Sequence, residues 1–277
     1  MLEQIGSVLE DYRDYWPIIP RQVLYRLMGR DAARKEDGDK IGEYLVRGRR
    51  AGLVPWEAIG DNRTESVVPV VCDDPEAFFA EMRASASVYA LDRQRGQSIY
   101  IEVFVEAHGG VEQVAGIVGS ASYGIPVFSG SGYNTVTALR EVVLRAEPRD
   151  VPTLVLILGD FDPHGEFIRE RVADDVTAFS VRHEGAGVDV QTVALTLEQI
   201  DELGLIKQTM DDPKKRKKYP RWPHEFTVEF EALAPDSLEQ ILRDEIDART
   251  DAETRQAVLE EERLQREDLM AQLEDER

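Results

Sequence analysis

Three carboxylates are placed where they can do metal chemistry. In "LVLILGDFDPHGEFI", residues 154 to 168, an apolar run of strand length ends in Asp160 and Asp162, one residue apart. A second apolar run, "YIEVFVE", ends in Glu106. Buried acids are costly unless paired, and a divalent cation is one such partner. Mg²⁺, or Mn²⁺ in its place, takes few protein oxygens and keeps waters that a phosphate can displace, so Glu106, Asp160 and Asp162 are the candidate metal ligands. Each residue taken singly has a plainer explanation, because Asp before Pro forms turns and a strand-end Glu is commonly solvated. Their coincidence at the ends of two strands is what favours a metal site.

The elements that must position them are legible from the rhythm of residues 99 to 194. "SIYIEVFVEA", "IPVFSG", "PTLVLILGD" and "VDVQTVALT" read as strands, and "GGVEQVAGIVGSAS", "NTVTALREVVLRA" and "HGEFIRERVADDVTAF" as the helices between them. Such alternation predicts an α/β domain with a mostly parallel sheet, whose catalytic groups gather at the carboxyl ends of the strands. Residues 205 to 226 read as irregular and carry the cluster "KKRKK", with Lys214 and Lys215 as candidate DNA contacts.

Upstream, the order is helix, helix, basic helix and a turn-rich extension. The first helix is expected over about residues 2 to 14, and the second starts near Pro20, where a missing N–H costs nothing. The third, "KIGEYLVRGRRAG", brings Arg47, Arg49 and Arg50 to its last turn, and "LVPWEAIGDNRTES" follows as a wing. This is the order of a winged helix-turn-helix module, whose third helix enters a DNA groove; the alternative is a helical cap with a solvated arginine face. Within "PRQVLYRLMG", Arg21 and Tyr25 are four apart and share a face beside the stripe of Val23, Leu24, Leu27 and Met28. Tyr25 is therefore either a presented phenol or an amphipathic tyrosine closing a core.

Charge bounds the partners. The chain of 277 residues carries a formal −21, which argues against indiscriminate coating of nucleic acid. Residues 236 to 277 hold 15 Asp/Glu against 6 Lys/Arg, whereas residues 20 to 63 hold 10 Lys/Arg against 7 Asp/Glu. A local DNA-binding face at the N-terminal end thus survives the overall balance, and the acidic end reads as a solvated helix. One cysteine and four histidines leave no disulfide framework and no zinc cluster. No apolar run reaches the length of a membrane span and the first residues do not read as a signal peptide, so a cytoplasmic location without membrane contact is expected.

Glu on a first strand with Asp-x-Asp on a later one resembles the Toprim domain, and "DFDPHG" followed by a helix resembles more narrowly the A subunit of topoisomerase VI and the related meiotic double-strand-break transesterase. Their upstream Arg and Tyr are matched in spacing by Arg21 and Tyr25. The resemblance covers residues 15 to about 245 and divides the chain into a winged-helix domain at 1–72, a linker helix within 73–98, a Toprim domain at 99–247 and an acidic helix at 248–277. It implies metal-dependent cleavage of double-stranded DNA by tyrosine transesterification, with Tyr25 as nucleophile, Arg21 beside it, and a 5′-phosphotyrosyl product made by a homodimer. No phosphate-binding G-x-x-x-x-G-K-[ST] stretch occurs, so an ATPase would be a separate subunit, or the chain resembles the stand-alone Mini-A proteins. The family often has Lys after the first Glu, where this chain has Ala107 and His108. Two other readings stand beside this one: a hydrolytic Toprim nuclease using water, and a catalytically silent DNA-binding protein.

Overall fold

The computed structural model describes residues 1–60, 71–130, 133–180, 187–210 and 219–275. Its centre is a four-stranded parallel sheet in the order β2-β1-β3-β4, made by β1 (Tyr100–Val105), β2 (Val127–Phe128), β3 (Thr153–Leu158) and β4 (Val188–Ala194). The α/β class expected from the alternation is what forms. The two central strands are buried along their whole length, as helices on both faces of a parallel sheet require.

Side-chain alternation divides each central strand between two cores. Ile101, Val103 and Val105 of β1 and Leu154, Leu156 and Leu158 of β3 face one core. The other holds Phe104, Val155 and Ile157, with Leu139 and Val142 of α6 (Tyr133–Ala146) and Val172 and Val176 of α7 (Pro163–Ser180). Glu102 points to this second face and is fully buried, held at 2.9 and 2.6 Å by the guanidinium of Arg145 on α6. The first core is closed by α5 (Val111–Val118) and α9 (Pro235–Asp247), with Leu238, Leu242 and Ile246 of α9 at helical spacing.

The N-terminal helices build a core of their own. In it α1 (Leu2–Asp11), α2 (Pro20–Gly29) and α3 (Gly38–Arg50) bury Ile5, Val8, Val23, Leu24, Leu27, Ile41 and Leu45. The first helix ends at Asp11, earlier than its sequence suggests, and a 3-10 turn at Arg13–Tyr15 follows. The expected wing begins with a 3-10 turn at Trp56–Ala58 and a single bridge between Ile18 and Ile59; its remainder lies outside the described residues.

α2 joins the two parts because its faces differ. Val23, Leu24 and Leu27 enter the N-terminal core, while Gln22, Tyr25 and Arg26 turn to the sheet side. Gln22 donates to Gln113 Oε1 of α5 at 2.7 Å, Arg26 donates to the Ala232 carbonyl, and Tyr25 packs into the sheet core itself.

Two regions differ from expectation. Residues 205–226 are not wholly irregular, since β5 (Gln208–Thr209) pairs antiparallel with β6 (Phe226–Thr227). The acidic helix α10 (Ala252–Asp275) is not simply solvated: it packs along α4 (Pro75–Ser87). Glu262 of α10 accepts from Arg93 at 2.7 Å in a pair only 8% and 3% exposed, and from the Leu91 N–H at 3.0 Å. α4 lies within the stretch expected to hold the linker helix.

Candidate active site

Parallel register sets the three acids at one edge. Val105 pairs with Leu158, and the next amides continue the ladder, Glu106 N–H to the Leu158 carbonyl at 2.8 Å and Gly159 N–H to the Ala194 carbonyl at 2.7 Å. Glu106 and the Gly159–Asp160 peptide therefore emerge side by side at the carboxyl end of the sheet. Glu106 Oε2 accepts from the Asp160 N–H at 3.2 Å. A Cβ at Gly159 would lie 2.4 Å from Glu106 Oε2, so any larger residue there would have to displace the Glu106 carboxylate. Gly165 is similarly constrained by the Asp160 carbonyl, 2.4 Å from the place of its Cβ.

Each aspartate is fixed by main chain. Asp162 caps α7, its Oδ1 accepting from the N–H groups of His164 at 2.8 Å and Gly165 at 2.6 Å. Asp160 Oδ1 accepts from the Phe230 N–H at 2.8 Å, and Arg169 holds the Asp160 carbonyl at 3.1 Å. Phe161 and Val228 exchange backbone hydrogen bonds at 2.8 and 3.0 Å. That bridge brings two further acids to the edge, Glu229 and Glu231, which alternate with the buried Val228 and Phe230.

Electrostatics marks the edge as short of positive charge. Burial, then the charges of Asp160 and Asp162, push the Glu106 carboxyl up to about 7. Burial also raises Asp160, with Asp162 adding to it, and burial together with Asp160 pushes Glu231, 7% exposed, up to about 7. Glu229 differs. Burial acts against its charged form, but Gln208, Arg21 and Lys35 outweigh it and hold this carboxyl below its usual range.

Tyr25 sits at the other end of this cluster. It is 1% exposed, its hydroxyl accepts from Gln208 Nε2, and burial followed by the neighbouring Glu229 raises its ionisation well above the usual phenol range. Arg21, one turn before Tyr25, reaches two of the acids: its Nε is 3.2 Å from Glu229 Oε2 and its Nη1 is 4.0 Å from Glu231 Oε1. Lys35, from the connection between α2 and α3, reaches Glu229 Oε1 at 3.2 Å and also bonds Gln208.

The residues expected from sequence are thus placed as two groups in one region, Arg21 with Tyr25 and Glu106 with Asp160 and Asp162. Glu229, Glu231, Gln208 and Lys35 join them. The alternation of acids with Val228 and Phe230 is the signal that marks Glu229 and Glu231; for Lys35 and Gln208 the sequence holds none. The arginines of α3 separate in role: Arg47 pairs with Glu43 at 3.1 Å, Arg50 is exposed, and Arg49 stacks over Trp56 and bonds the carbonyls of Trp56 and Ile59. Lys214, Lys215 and the His108 side chain lie outside the described residues.

Glu106, Asp160 and Asp162 offer hard oxygen donors, and the raised carboxyls of Glu106 and Asp160 are what a bound cation would relieve, so the donor set fits Mg²⁺ or Mn²⁺ in chemistry. Among the described residues no three His, Cys, Asp or Glu side chains stand close enough to enclose a metal ion, so a metal would have to draw them together. No described helix is long and apolar enough to cross a membrane. No protein-family model matches the chain, and neither a curated protein nor a solved structure does.

Proposed function

We propose that the chain cleaves double-stranded DNA by metal-dependent tyrosine transesterification, through a winged-helix domain that carries Tyr25 and a Toprim domain that carries the acids. The observation that carries this reading is that Arg21 and Tyr25 both meet Glu229, whose neighbour Phe230 binds Asp160 through its N–H. In the reaction the Tyr25 oxygen bonds to the scissile phosphorus, the 3′ oxygen leaves, and the phenol proton passes to a base. The product is a 5′-phosphotyrosyl end that the reverse reaction reseals.

The residues divide the work. Arg21 contributes positive charge where the phosphoryl oxygens become more negative, and Glu106, Asp160 and Asp162 would hold Mg²⁺. The bound ion would supply Lewis-acid stabilisation of the scissile phosphate and the leaving oxygen. Tyr25 reacts only after it leaves the contacts that bury it, because in the present arrangement its proton is held tightly. A DNA-bound homodimer that cuts both strands, and a separate ATPase subunit, are the partners this reading calls for.

Burial of Tyr25 favours a second reading, hydrolysis by water at the same acids with the tyrosine only packing. Incubation with supercoiled plasmid tests what the two share. Breaks that require Mg²⁺ or Mn²⁺ and disappear in Asp160→Asn support an acid-centred cleavage site. Breaks that persist without metal or in that variant contradict it.

A further inference from the structure

Four polar groups from three separate elements converge on one carboxylate. Arg21 from the first turn of α2, Lys35 from the connection to α3, Gln208 from β5 and the Tyr25 hydroxyl all surround Glu229. Arg21 and Lys35 stand 3.2 Å from different oxygens of that group, Nε to Oε2 and Nζ to Oε1. A pair of cations that grips two oxygens of one anion can equally grip two oxygens of a phosphodiester. The tyrosine that would attack such a phosphodiester lies beside the same anion.

We infer that Arg21, Lys35 and Gln208 form the seat of the scissile phosphodiester and that Glu229 fills this seat when DNA is absent. The inference rests on the proposed DNA-cleaving function, and it adds Lys35 and Gln208 as phosphate contacts and Glu229 as their internal competitor. The two cations are half exposed, at 54% and 50%, whereas Glu229 is 16% exposed, so a backbone phosphate can approach the cations from solvent. Occupation of the seat brings the phosphodiester beside the phenol, while burial still holds the Tyr25 proton until the tyrosine leaves its present contacts. Glu229 keeps its charge at neutral pH because its three partners hold it in the ionised form, so the competition is between two anions.

Binding of a fluorescent double-stranded oligonucleotide in EDTA, measured by anisotropy over a range of salt, tests the seat without any cleavage. Glu229→Gln should bind roughly 5- to 10-fold more tightly than wild type, the scale of an ordinary coupling between two ligands of one site. Lys35→Gln, at a half-exposed position, should bind more weakly and lower the slope of log affinity against log salt by about 1, the loss of one phosphate contact. Wild-type binding that is the same in both folded variants overturns the seat but leaves the cleavage proposal standing. If Glu229→Gln fails to fold, the Lys35→Gln salt slope decides alone, an unchanged slope counting against the seat. Wild-type protein that binds no DNA removes both proposals together.

Discussion

Gly159 and Glu106 approach so closely that no side chain fits between them: a Cβ on Gly159 would lie 2.4 Å from Glu106 Oε2. The contact links the first acid-bearing strand to the second, since the residue after Gly159 also donates its N–H to that oxygen. Gly159→Ala should therefore push the Glu106 carboxylate out of place. The expected cost is roughly 1–3 kcal/mol, as for other overpacked positions, and it is read as a lower midpoint in urea. DNA cleavage should fall much further than stability, because catalytic geometry tolerates little displacement. Unchanged stability and cleavage would show that the strand ends are not held as described.

Glu231 gives the protein a pH dependence of defined sign. Its carboxyl titrates near 7 in the folded chain against an ordinary value of 4.5, so between those values the native state binds the extra proton. Stability contributed by this group is present below about pH 4.5 and is lost as pH rises through 7. The loss attributable to Glu231 is on the order of 3 kcal/mol, since each tenfold change in proton affinity is worth about 1.4 kcal/mol. Urea unfolding from pH 4.5 to 8 should show the decline, to which Glu106 adds its own share, and Glu231→Gln should reduce it by the Glu231 contribution. A decline of equal size in Glu231→Gln would assign it to other groups.

A metal should act on the same deficit of positive charge from the other direction. Burial and mutual repulsion raise Glu106 and Asp160, so Mg²⁺ at their carboxylates should raise the melting temperature progressively as its concentration exceeds Kd. EDTA should reverse the rise, and Glu106→Gln should abolish most of it. A rise that survives Glu106→Gln would place the metal elsewhere.

The sheet was legible because its two central strands are largely apolar on both faces, Glu102 excepted, and their boundary acids mark the carboxyl edge. The start of α2 was legible too, through Pro20 and the spacing of Arg21 and Tyr25. What could not be read depends on partners distant in sequence. Glu262 looks like its neighbours Glu260 and Glu261, yet it alone is buried, because Arg93 meets it from 169 residues away. Alternation with Val228 and Phe230 marks Glu229 and Glu231 as strand-like, but that they join this site depends on the distant Phe161–Val228 bridge. After α4 ends at Ser87, Tyr89, Leu91 and Arg93 meet α10 through Gln265 and Glu262, contacts likewise between residues distant in sequence.

That buried pair has its own consequence. Glu262→Ala leaves the Arg93 guanidinium buried without its counter-charge, and the expected cost is roughly 3–5 kcal/mol. The double replacement Arg93→Met with Glu262→Leu removes both charges and should recover much of that loss. Chemical denaturation of the three variants checks it. A Glu262→Ala protein as stable as wild type would mean that α10 is not anchored through this residue.

Whether Tyr25 becomes joined to DNA can be measured outright. Supercoiled plasmid is incubated with the protein and Mg²⁺, quenched in SDS, and resolved with and without proteinase K, beside Tyr25→Phe. Transesterification at Tyr25 should give double-strand breaks whose ends migrate freely only after proteolysis and which vanish in Tyr25→Phe. Protein-free breaks that persist in Tyr25→Phe would contradict it and leave the acids with hydrolysis by water.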